Sequence, residues 1–138
     1  MRLVLVVHAV VGALWFGAMV YSLFVVQPRL PRMVSADRVE DAQRELAAGN
    51  RWPVVGLIGV LWISGGVLAL GSWGLFALVK ALLLGAASAL FWWVSWRAWP
   101  RRVFALPDEL PALQRQFRQV ALLMLALVGA AFGLSMIR

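Results

Sequence analysis

Four long apolar runs, separated by polar segments of unequal length, set the pattern of this chain. They extend over about Leu3–Val26, Pro53–Leu70, Leu75–Trp96 and Val120–Ile137. At ~1.5 Å of helical rise per residue, each is about the length needed to cross a ~30 Å hydrocarbon core. Short connections between successive spans favour antiparallel neighbours. The expected fold class is therefore all-α: one transmembrane domain over 1–138, an integral membrane antiparallel four-helix bundle with a short amphipathic surface helix in the first loop.

The polar segments define the ends of the spans. Pro28-Arg29-Leu30-Pro31-Arg32 is expected to close the first, because proline lacks an amide donor and pushes the preceding residue out of helical geometry. Between Ser35 and Arg51 a short helix is expected, capped by Ser35 or Asp37. Val39, Ala42 and Leu46 form its apolar stripe, Glu40 and Arg44 an i,i+4 pair, and Gly49-Asn50 its stop. Gly71-Ser72-Trp73-Gly74 reads as a tight, uncharged turn. Pro107-Asp108 opens a further helix that tolerates Pro111 in its first turn and runs on into the fourth span. No internal repeat is evident in the order of residues.

Composition strengthens the membrane reading. Of 138 residues, 63% are hydrophobic and 14% charged, and the mean hydropathy is +0.86, more apolar surface than a soluble domain of this size can bury. The first apolar run is too long for a signal peptide and no small-x-small cleavage site follows it. The absence of cysteine excludes disulfides, thiolate metal sites, iron–sulfur clusters and thiol nucleophiles. The net charge of +7 comes from arginines that flank apolar runs, which points to topology and contact with anionic lipid in the bilayer, not to nucleic acid. Arg29, Arg32, Arg38, Arg44 and Arg51 lie in the first loop, and Arg97, Arg101, Arg102, Arg115 and Arg118 in the third. Both loops are accordingly expected on the cytoplasmic side of a bacterial inner membrane, with both termini outside. Trp52, Trp96 and Trp99 suit the inner aromatic belt and Trp73 the outer one, whereas Trp15 and Trp62 fall near mid-membrane. Small residues suited to close helix packing are Ala9, Ala13 and Gly17, then Ala81 and Gly85, then Gly129 and Gly133.

Chemistry inside the spans is sparse. His8, the only histidine, and Lys80 are the only ionisable side chains well inside them. Each lies about five residues from the outer end of its helix, roughly 7–8 Å deep at the helical rise. Ser64, Ser135 and Met136 can reach the same layer. Lys80 can snorkel to the headgroups, and His8 can bond a carbonyl or a serine across the bundle. The ligand-binding alternative starts from helical spacing, which puts His8, Gly12, Trp15 and Met19 on one face. That face suits a porphyrin, with an axial imidazole from His8, room at Gly12, a flat contact at Trp15 and Lys80 for a propionate; the same aromatic and thioether groups also suit plain core filling. Haem needs only one axial histidine. A copper site would draw on His8, Met19 and Met136, a thin set without a second subunit. With no carboxylate in the spans, paired-carboxylate catalysis, Asp/Glu proton relays and a serine–histidine–acid arrangement have no basis, and there is no P-loop or dinucleotide fingerprint.

His8, Trp15-Phe16-Gly17, Tyr21 and Pro28-Arg29-Leu30 resemble the first helix of the HemJ-type protoporphyrinogen oxidases and the related CopD-type copper resistance membrane domains. Asn50-Arg51 before the second span, and Lys80 after Trp73, continue the likeness over most of the chain. The resemblance implies a four- or five-helix membrane bundle. In the HemJ branch it implies haem b and oxidation of protoporphyrinogen IX, with the first-helix histidine and third-helix lysine important, roles that fall on His8 and on Lys80 as the candidate catalytic residue. The chain departs from that branch in having Phe117-Arg118-Gln119-Val120 where an Asn-Glu-x-Pro signature stands, and in its single histidine. The CopD branch implies copper handling. The expected function is binding of haem or porphyrin in the outward half of the membrane. The alternatives are copper transport or resistance, and a non-catalytic accessory subunit of a larger membrane complex; a homo-oligomer is compatible with each.

Overall fold

The computed structural model describes residues 1–137. The chain is an all-α membrane protein whose described residues form four helical rods and no strand. The rods are Arg2–Met33, Ala36–Gly71, Leu75–Val103 and Leu110–Ile137, each long and apolar enough to cross a bilayer. They make two compact units, Met1–Trp73 and Gly74–Arg138.

In the first unit, α1 (Arg2–Tyr21) passes through a π-helical turn (Ser22–Val26) into α2 (Gln27–Met33). A 3₁₀ turn (Ala36–Arg38) then leads into α3 (Val39–Gly71), which returns against α1. In the second, α4 (Leu75–Trp93) passes through a π turn (Val94–Ala98) into α5 (Trp99–Val103), and α6 (Leu110–Ile137) returns against α4.

Pro28 and Pro31 do not end the first span as expected. A proline ring in a helix crowds the carbonyl four residues back and offers no N–H to it. The first and third rods meet this by widening one turn just ahead of the proline: Gln27 N–H bonds Ser22 O before Pro28, and Trp99 N–H bonds Val94 O before Pro100. The helix resumes beyond, so the first and third spans continue to Met33 and Val103.

Nor does Gly49-Asn50 stop the first-loop helix. No glycine among the described residues adopts positive φ, so no left-handed cap forms. The amphipathic stretch is instead the opening of α3, which runs unbroken through Pro53 for 33 residues. Its glycine costs ~1 kcal/mol relative to alanine, less than breaking a continuous hydrogen-bond ladder. Gln43 Nε2 donates to Gln27 Oε1 at 3.1 Å, tying this stretch to α2. Along it Arg44 approaches Asp41 at 3.8 Å, and Leu46 is exposed. At the start of α6, Leu106 N–H donates to Glu109 Oε2 at 2.9 Å, and the helix carries Pro111 in its first turn as expected.

The two units share one plan in register. Counted from the first residue of each π turn, Pro28-Arg29 matches Pro100-Arg101 and buried Leu23 matches buried Ser95. Trp15, 1% exposed, matches Ala87, 0% exposed, and buried Leu30 matches buried Arg102. By the same count His8 matches Lys80.

Candidate functional site

On α1 the positions that are not exposed are Val4, His8, Val11, Gly12, Trp15, Phe16, Met19 and Val20, continuing to Leu23 in the π turn. They recur every three or four residues, as one helical face must. The face expected from spacing is thus the packed one, with Trp15 its most buried large side chain. Ala9, Ala13 and Gly17 lie on the exposed side, and a Cβ at Gly17 would meet nothing within 4 Å. They are therefore not a close-packing stripe within the unit. Close approach occurs at a different glycine. A Cβ at Gly65 of α3 would stand 3.3 Å from His8 Cε1, so the missing side chain lets the imidazole edge lie against the α3 backbone.

His8 is half-buried and joined to α3 by a short hydrogen bond, 2.7 Å between its Nδ1 and Ser64 Oγ. Ser64, 6% exposed, donates its hydroxyl proton to Val60 O at 2.6 Å, one turn back along the same helix. A lone serine in an apolar span commonly returns its proton to the carbonyl four residues earlier. The imidazole, the hydroxyl and the peptide carbonyl form one hydrogen-bonded chain linking α1 to α3. Spacing places Ser64 in the right layer but does not reveal that it faces His8, because rotation of α3 is set by packing. The sequence signal for the contact is Ser64-Gly65, a polar residue beside one with no side chain, in an otherwise apolar run.

The remaining candidates fall out differently. Gly12 is one turn beyond His8 on the same face and Trp15 follows it. Met19 shares the face, but at the rise of α1 it is roughly 16 Å from His8 along the axis, too far to share one ion. Met136 is 64% exposed near the end of α6, and no group of three or more His, Cys, Asp or Glu suited to a metal ion exists among the described residues. Lys80 is half-buried on α4. A shallow cleft of about 110 Å³, lined by Leu75, Phe76, Val79 and Leu134, lies within the same unit and offers no donor to a metal.

In the sequence Arg102 is one of many topology-setting arginines, yet it is 5% exposed. Its guanidinium carbon lies 4.6 Å from the Trp99 ring centroid and 4.9 Å from that of Phe117, and the two rings meet edge to face at 5.0 Å. A guanidinium is weakly hydrated and flat, so it can be buried among aromatic rings where an ammonium could not. One turn earlier in the same rod, Trp96 stacks on Trp92 at 4.1 Å.

No family model matches this chain, and no curated protein or solved structure matches it at a significant level.

Proposed function

We propose that this is a small multi-pass protein of the HemJ/CopD kind that binds haem or porphyrin through His8. The observation that supports the reading is the imidazole itself. It is the only one in the chain, it lies within a span, and it is oriented by a hydrogen bond between its Nδ1 and a buried serine. Metal-ligating histidines characteristically engage their second nitrogen in this way. One imidazole is enough for haem, whereas the methionine on the same face is out of reach of an ion at His8. Gly12 and the buried Trp15 follow His8 on the same face of α1. A bound haem would supply one-electron chemistry; the chain's own part is to orient His8 and to keep the site apolar.

Lys80 enters the reading through the resemblance, as a cation for a propionate or as a proton donor, and it is tested separately. Placement in a bacterial cytoplasmic membrane, arginine-rich loops inward, belongs to the same proposal. Any reaction would be an oxidation of the protoporphyrinogen type.

The test is titration of the purified protein in nanodiscs with ferric haem, followed in the Soret region. Wild type should give a saturable shifted band that His8→Ala loses, while Lys80→Ala keeps the band and binds more weakly. An identical band in wild type and His8→Ala would remove the proposal. Equal affinity in Lys80→Ala would remove Lys80 from it.

A further inference from the structure

We propose that Ser64 is a positioning residue that locks His8 in the Nδ1–H tautomer and so makes Nε2 the electron-pair donor of the site. The Ser64 hydroxyl has a single proton, and its oxygen lies 2.6 Å from Val60 O, a group that can only accept. That proton is committed to the carbonyl. Toward His8 the oxygen then offers only a lone pair, so the 2.7 Å contact requires the imidazole to donate from Nδ1. A neutral imidazole carries one N–H, so the ring's remaining lone pair is on Nε2.

Two further features hold the arrangement. Ser64 is buried, and water cannot easily replace the carbonyl as its acceptor within a span. Gly65 allows the Cε1 edge of the ring to rest at 3.3 Å from where a Cβ would stand. A ring flip that exchanged Nδ1 for the Cδ2–H edge would forfeit the short hydrogen bond. The lock is a property of the protein without ligand; that Nε2 serves an iron atom rests on the haem reading above.

A single histidine makes the test direct. Protein labelled with ¹⁵N-histidine, without haem and in nanodiscs, should show the ring proton on Nδ1 and an unprotonated Nε2 under conditions where the ring is neutral. Ser64→Ala should lower the Nδ1–H to Nε2–H ratio several-fold, toward the Nε2–H form favoured by a free side chain, and Ser64→Thr should restore the lock. A proton on Nε2 in wild type overturns the proposal, as does an unchanged ratio in Ser64→Ala. Under the haem reading, Ser64→Ala should also weaken haem binding by about 10- to 100-fold. An Nδ1–H wild type that gives no Soret band overturns the haem reading alone. A wild type that binds haem through His8 but carries its apo proton on Nε2 overturns the Ser64 assignment alone.

Discussion

The two halves of this chain are built alike and equipped differently. Each is a long helix, a five-residue π turn, a Pro-Arg pair and a returning helix. In the first, the matched positions hold an imidazole at His8, a large ring at Trp15 and an aliphatic side chain at Leu30. In the second they hold an ammonium at Lys80, a methyl at Ala87 and a guanidinium at Arg102. The backbone plan therefore does not dictate the chemistry. The bulk of the first unit lies at Trp15, two turns beyond the polar contact at His8. The second unit has its bulk and its buried cation together at the π-turn end, where Arg102 lies against Trp99 and Phe117.

The largest effects are expected at the matched core positions. Trp15→Ala should destabilise the protein by ~3–5 kcal/mol, the range for removing a buried large aromatic. Ala87→Leu, which overfills the equivalent site, should cost ~1–3 kcal/mol. Reversible unfolding in mixed micelles measures both, and a Trp15→Ala cost below that of Ala87→Leu would contradict the assignment of bulk to the first unit. Next in size is the buried cation. Arg102→Met should cost ~2 kcal/mol from the lost ring contacts, with Arg102→Lys in between because an ammonium cannot lie flat against two rings. If lysine matched arginine in the same assay, planarity would be irrelevant. The smallest effect is expected at the tie between α2 and α3. Gln43→Ala should cost ~0.5–1.5 kcal/mol and raise amide exchange in α2 while leaving α5 unchanged. Equal acceleration in both segments would show that the tie is not local.

The four spans and the helix break after Gly71 were legible because apolar length and uncharged helix-ending residues act locally. The packed face of α1 was legible for the same reason, since His8, Gly12, Trp15 and Met19 obey helical spacing. The path past Pro28 and Pro100 was not. A proline announces a broken hydrogen bond, but whether the helix ends or widens depends on the bonds available beyond it. The continuous α3 is hidden for a related reason, since the propensity of Gly49 signals a stop while the hydrogen-bond ladder around it carries the helix on. The shared plan of the two units was hidden because few matched residues are identical, Leu3 and Leu75, Ala9 and Ala81, Pro28 and Pro100 among them, and only the π turns bring them into register. Ser64 was visible as a polar residue in the right layer, but its facing His8 is a matter of helix rotation, which no local pattern encodes.

The central claim, that His8 is the group this protein offers to an iron centre, is tested most directly by cavity rescue. His8→Gly in nanodiscs with ferric haem should lose the shifted Soret band, and free imidazole, which can enter the space left by the side chain, should restore it. A band in His8→Gly that matches wild type before imidazole is added would contradict the claim.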